Sequence, residues 1–306
     1  MSIFGLSKMD FGRFSNLTDI ADDLPFRHYT HGHRAIAWIS RCLFDRCTYT
    51  VQHGLIRGMK RRGGLGWTPA WLSRGARTKE EMFWRGLPLG GLVVYDVGAF
   101  HGILTLFFAS RAAQVIAYEP NESNCARVIE NIRLNHLTNV QVRKLGVRSQ
   151  PGSGTLHYAL QMAGGGTLRP NAIAPVSQRV DITTLDRDIT TASLPPPDLI
   201  KIDIEGWELE ALEGARATID QHHPALFLEM HGETMSEKKR KAGEIVAFLL
   251  DAGYGEILHI ESGEEITPGN EGQAAEGHLY CRYTASRSAK CPTNTSFVPP
   301  TGSSES

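Results

Sequence analysis

The sequence predicts an α/β protein built on a mostly parallel sheet. Three observations carry that expectation. From about Gly91 to Tyr283, short apolar runs alternate with amphipathic segments, the signature of linked βαβ units. Several of these runs end in an acid near a glycine, where an open parallel sheet turns outward to meet its ligand. The last two runs, Ile257–Ile260 and His278–Tyr283, are separated by a Gly/Glu-rich turn and predict a hairpin, an antiparallel element at the sheet edge.

In chain order, strands are expected at Leu92–Val97, Gln114–Tyr118, Val140–Leu145, Asp198–Ile202 and Ala225–Leu228. Helices are expected at Gly102–Ala112, Asn121–Asn135, Gly206–Ile219 and Ser236–Asp251. The last of these has the clearest ends: Thr234 to Glu237 reads as a capping box, and Gly253 suits a helix stop. Between Gln150 and Asp186 the glycines (Gly152, Gly154, Gly164–Gly166) and prolines break the pattern, which predicts an excursion of short strands and loop. Before Gly91 the periodicity is poor, with helical pieces at Ala35–Phe44 and Lys79–Trp84. No repeat of solenoid period is present.

Composition sets the outer limits. The 306 residues are 41% hydrophobic, too many for a disordered chain and enough for a packed core. Lys and Arg number 32 against 33 Asp and Glu, a balance unlike that of a protein coated in basic residues for nucleic acid. That balance hides a split: residues 1–90 hold 14 basic and 7 acidic side chains, so the rest of the chain carries the acidic excess. The chain therefore reads as a basic N-terminal extension over 1–80, a regular domain over 81–283 and a Ser/Thr/Pro-rich disordered tail over 284–306. The five cysteines, Cys42, Cys47, Cys125, Cys281 and Cys291, form no CxxC pair and read as reduced thiols. With no signal-peptide pattern and no long apolar run, the expected location is cytoplasmic, with no transmembrane segment.

Four motifs carry chemistry. In Val93-Val94-Tyr95-Asp96-Val97-Gly98-Ala99-Phe100-His101-Gly102 an apolar strand ends in an acid, and a G-x-x-x-G turn opens a helix. The glycines let backbone approach a ligand closely. Asp96 would repel a pyrophosphate and suits a ligand with a cationic or amino group, as S-adenosylmethionine has. Glu119, at the end of Val115-Ile116-Ala117-Tyr118-Glu119-Pro120, is placed to accept hydrogen bonds from both hydroxyls of a ribose. In Asp198–Glu208 the fourth strand ends in Asp203 and Glu205, which share a direction if the chain stays extended. Glu229 and His231 share parity at the end of the fifth strand. Acids and an imidazole on adjacent strand ends suit proton transfer, with His231 or Asp203 as base and Glu205 or Glu229 orienting it. The same groups could bind a hard divalent cation, although none is predicted.

At these residues the sequence resembles the FkbM-type S-adenosylmethionine-dependent methyltransferases. The matching stretches are VVYDVGAFHG, IAYEPNESNCARVIENIRLN, VDITTLD, DLIKIDIEGWELEALEGA and PALFLEMHG, and the GGGTL run at Gly164–Leu168 looks like the family's Gly-rich segment. The resemblance spans about residues 80–283 and leaves 1–80 outside. It implies a class I methyltransferase fold: a seven-stranded sheet, helices on both faces, and a reversed last strand. It also implies methyl transfer from S-adenosylmethionine, typically to a hydroxyl of a sugar or natural product. Carried over, Asp96, Gly98, Ala99, Gly102, Glu119 and Pro120 would bind the cofactor. Phe100 stands where the family usually has Asn.

Other signals are weaker. His28, His31 and His33 lack a fourth ligand for a metal. Gly54–Lys60 does not complete a phosphate loop, and no G-x-S-x-G elbow is present. No Asn/Asp-Pro-Pro-aromatic motif follows the fourth strand, so methylation of base amino groups is not indicated. The stretch Arg46–Lys79 has eight basic residues and no acid. It reads as a solvated face or lid, with docking to an anionic substrate, an anionic membrane surface or nucleic acid as the alternatives. The competing functions are a nicotinamide-dependent oxidoreductase, disfavoured by the missing G-x-G-x-x-G, and a non-catalytic cofactor-binding protein.

Overall fold

A computed structural model describes residues 47–62, 78–158 and 176–284. The histidines at 28, 31 and 33, the helix expected at 35–44, Arg46 and residues 63–77 of the basic stretch, the Gly164–Leu168 run and the tail from residue 285 lie outside the described residues.

The centre is a seven-stranded sheet. Its strands are β3 (Val93–Val97), β4 (Gln114–Tyr118), β5 (Val140–Arg143), β9 (Leu199–Ile202), β10 (Ala225–Glu229), β11 (Glu256–His259) and β12 (His278–Arg282), in the spatial order β11-β12-β10-β9-β3-β4-β5. The five from β5 to β10 are parallel, and β12 alone is reversed, pairing antiparallel with both β10 and β11. The mostly parallel sheet and the single reversed strand are as the sequence and its resemblance imply. The hairpin does close one edge, but its second strand inserts inward, so β11 is the edge strand. The sheet's interior is largely apolar: Val94, Val115, Ile116, Ile200, Ile202, Leu226 and Leu228 are all fully buried. Strands covered on both faces read as continuous apolar runs, and this is why their limits are legible in the sequence.

The helices are α2 (Ile103–Ala109), α3 (Glu122–Leu134), α4 (Leu185–Thr191), α5 (Glu208–Glu213), α6 (Arg216–His222) and α7 (Met235–Asp251). One core cluster joins Leu212, Ile219, Ile245 and Leu249 to Ile200 and Leu228; a second joins Leu106 and Phe107 to Val94, Leu199 and Phe227. The two clusters mark the two covered faces. The single helix expected over Gly206–Ile219 is two. Gly214 packs so closely on the chain leaving the third strand that a Cβ there would stand 2.1 Å from the Arg148 carbonyl. The helix is interrupted at that contact, and α6 restarts from it. The capping expected at Thr234 is present, with its side chain accepting the Glu237 N–H, while Glu237 Oε2 takes the N–H of Glu233.

The excursion after β5 is a small three-stranded sheet of β6 (Gly146–Val147), β7 (Gly152–Tyr158) and β8 (Val176–Thr183). In the extension, β1 (Thr48–Thr50) and β2 (Lys60–Arg62) form a hairpin. The hairpin is held to α3: Lys60 and Asn135 exchange bonds of 2.8 and 2.7 Å, and the Arg62 N–H donates to Asn131. Helix α1 (Lys79–Gly86) buries Trp84 against Phe108 and Phe227. The described parts of the extension thus pack on the domain rather than standing away from it.

Candidate active site

A cleft of about 260 Å³ opens at the carboxyl ends of the central strands, beside the point where the strand order reverses between β3 and β9. Its wall includes Gly98, Glu119 and Pro120, together with Asp203, Glu205 and Glu229. Asp96, Ala99, Gly102 and His231 are not among its lining residues.

The loop after β3 is shaped by close approach. The N–H groups of Gly98 and Ala99 both donate to the Tyr118 carbonyl, at 3.0 and 2.9 Å. Gly98 has φ +86°, and a Cβ on it would fall 1.8 Å from the Asp203 carbonyl oxygen, so only glycine fits. Asp96 does not face the cleft. Its carboxylate is 1% exposed, accepts the Thr105 hydroxyl at 2.6 Å and lies 3.2 Å from the Lys201 ammonium. Lys201 also lies 3.3 Å from Asp203 and donates to the Gly98 carbonyl at 2.8 Å. Burial alone would lower the pKa of this ammonium, but Asp203 and Asp96 outweigh it and the net shift is upward. Lys201 therefore joins the two strand-end loops as a fixed cation.

Glu119 is buried at the base of the cleft. Its Oε2 accepts the Phe100 N–H at 2.8 Å; its Oε1 accepts the Asn121 N–H at 2.9 Å and the Asn124 amide at 3.2 Å. Among the described residues Oε1 thus has two donors and Oε2 one. Burial raises the carboxyl pKa to about 7 against the pull of these donors. Phe100, beside it, has φ +48°, a left-handed conformation uncommon for a bulky residue. Leu145, Val147, Leu156 and Trp207 also line the cleft, and the Arg148 guanidinium lies 3.8 Å from the Trp207 ring centre.

Asp203, Glu205 and Glu229 meet at His231. Its Nε2 lies 3.4 Å from Glu229, 3.7 Å from Glu205 and 3.8 Å from Asp203. Its Nδ1 lies 3.0 Å from Glu208, a residue the sequence reading passes over. Burial would lower the imidazole pKa, but Glu208 and Glu229 together raise it to about 11. Glu229 is also approached by His278 at 3.7 Å, and the two rings hold it well below the usual carboxylate range against the effect of burial. Asp203 is shifted the other way, upward, by burial and by Glu229, with Lys201 opposing. Burial likewise raises Glu205. One atom each of Asp203, Glu229 and His231 fall within 4.8 Å of one another, the arrangement a cation would need. A protonated ring and Lys201 already supply positive charge there.

Comparison with known proteins places the chain in a family. Residues 96–255, just over half the chain, match the model of the methyltransferase FkbM domain. Methyltransferase 1 of Beauveria bassiana is 25% identical over 151 residues, 42% of this chain and 59% of that protein. The hexuronic acid methyltransferase AglP of Haloferax volcanii is 29% identical over 122 residues, 40% of this chain and 49% of that protein. The chain thus spans about half the length of these relatives. Among solved structures, the methyltransferase FkbM of Methylobacillus flagellatus KT is 20% identical, with 67% of this chain and 48% of that one covered and a TM-score of 0.46. The chain belongs to the FkbM methyltransferase family, and its sheet is that of a class I methyltransferase.

Proposed function

We propose that the protein is an S-adenosylmethionine-dependent O-methyltransferase acting on a hydroxyl of a sugar, glycan or natural product. The observation that carries this reading is the cleft itself: a glycine-shaped loop, a buried strand-end carboxylate and a carboxylate rim in one cavity. The chain's residues suit the cofactor. Glu119 Oε2 would take a ribose hydroxyl, the apolar side chains of Leu145, Val147 and Leu156 would hold the adenine, and Gly98 lets the loop after β3 lie against the Asp203 carbonyl at the cleft wall. Asp96 supports that loop through Thr105 and Lys201 instead of touching the ligand. S-adenosylmethionine supplies an electrophilic methyl group on a sulfonium.

An alcohol needs its proton withdrawn as it attacks. His231 holds a proton at neutral pH and cannot take another, and Glu229 is too weak a base. Asp203, at the cleft wall with its pKa raised, is the base this account favours; His231 is its neighbouring cation. Glu205 and Glu229 share that cation and orient the rim. Trp207 offers a flat apolar face, which suits a sugar ring. That the relative AglP acts on a hexuronic acid favours a sugar acceptor too. A test uses methyl-labelled cofactor, the protein and cell extract. Label in a base-stable ether supports transfer to a hydroxyl. Label released by mild base identifies a carboxylate ester and overturns that part. No labelled product would overturn the acceptor class.

A further inference from the structure

The rim is carried by two segments that leave adjacent strands. The turn 203–207 follows β9, and Met230–Gly232 follows β10; the strands pair in parallel with Ile202 opposite Leu228. Glu208, 1% exposed, touches both. Its Oε1 accepts the Gly206 N–H at 2.8 Å and faces His231 Nδ1 at 3.0 Å. The turn it grips is unusual, with Glu205 at φ +55° and Gly206 at φ +99°. From the opposite side, Lys241 of α7 donates to the Gly206 carbonyl at 2.9 Å. The turn that presents Asp203 and Glu205 is therefore clamped between a buried carboxylate and a nearly buried ammonium.

The same contact decides which way His231 points. An imidazole has two nitrogens, and the bond made by one sets what the other can do. With Nδ1–H given to Glu208, Nε2 is turned to Glu229, Glu205 and Asp203. Those three carboxylates sit on two separate segments, and the ring is what they share. Without an acceptor at Nδ1 the ring can rotate, and the three lose their common partner.

We propose that Glu208 is a positioning residue, which fixes the His231 ring and through it the spacing of Asp203, Glu205 and Glu229 at the cleft wall. The proposal rests on the methyltransferase reading for its effect on turnover, but its structural half does not.

The test uses the full chain with nitrogen-labelled histidine, and His231→Gln identifies the His231 signals. A ring N–H bonded to a buried carboxylate exchanges slowly with solvent and gives a visible proton resonance. That resonance is expected in the parent protein and in Glu208→Gln, which keeps an acceptor oxygen, and is lost in Glu208→Met, which keeps the volume without one. Label transfer into cell extract should fall about tenfold to a hundredfold in Glu208→Met, the scale for a misplaced catalytic group. Glu208→Gln should recover most of that loss. S-adenosylhomocysteine should bind all three proteins alike. A resonance surviving in Glu208→Met, transfer undiminished in it, or Glu208→Gln falling as far as Glu208→Met would each overturn the proposal. Failure of the parent protein to bind S-adenosylhomocysteine would instead strike the methyltransferase reading, and the histidine resonance would still report on Glu208.

Discussion

Glu119 illustrates how much of this site lies in single residues. The free carboxyl titrates near 4.5, and burial raises it to about 7. A ligand hydroxyl that donates to Glu119 favours the ionised form, so binding should pull the pKa down. S-adenosylhomocysteine affinity is therefore expected to weaken as pH drops through 7, where the unliganded carboxyl takes up its proton. Glu119→Gln should weaken binding by about 1–3 kcal/mol at alkaline pH and remove the dependence on pH; calorimetry across that range checks both. The position of Glu119 was legible in the sequence because an acid closes an apolar strand. Lys201 and Glu208 were not. Lys201 lies inside an apolar strand with nothing nearby in sequence to show that Asp96, over a hundred positions earlier, would face it. Glu208 reads as one more helix-start acid until the fold brings His231 against it.

At the level of elements, close contacts explain where the periodic pattern misleads. Gly206–Ile219 has the composition of one helix, yet the Arg148 carbonyl interrupts it at Gly214. Gly214→Ala is expected to destabilise the protein by about 1–3 kcal/mol, the range for overpacking, read as a lower denaturation midpoint. The extension hairpin gives the opposite case. Arg61 on β2 is 6% exposed, and among the described residues its Nε has no hydrogen-bond partner. Burial, and repulsion from Arg127, lower its pKa. Replacing a buried charge by an apolar side chain of similar length is often neutral or stabilising. Arg61→Met should raise the denaturation midpoint, by about 1 kcal/mol or more; a fall would show that the guanidinium has a partner worth more than its burial costs. Neither effect is visible in sequence, since each depends on a contact between segments far apart along the chain.

For the whole molecule, the sheet was the most legible feature, because strands buried on both faces spell themselves as apolar runs. The insertion of β12 between β10 and β11 was less so, since two paired runs do not tell which lies inside. Glu208 and Glu229 lie beside His231, and Glu261 beside His278. Both rings have pKa values raised above 6.5, to about 11 and about 10, because their carboxylate partners overcome burial. Such groups stabilise the fold fully below the unfolded pKa near 6.5, and that contribution is lost as pH rises through the folded values. Thermal stability should therefore decline from near neutrality toward pH 10–11, and the decline should be shallower in His231→Gln and His278→Gln. An unchanged slope in both variants would mean that the rings are not protonated in the fold.

The central claim is that the cleft beside Gly98 and Glu119 is an S-adenosylmethionine site. Calorimetric titration of the full chain with S-adenosylhomocysteine and, separately, NAD tests it most directly. The account predicts one molecule of S-adenosylhomocysteine bound per chain, weaker binding in Glu119→Gln, and no heat from NAD. Binding of NAD in its place, or S-adenosylhomocysteine affinity unaffected by Glu119→Gln, would contradict it.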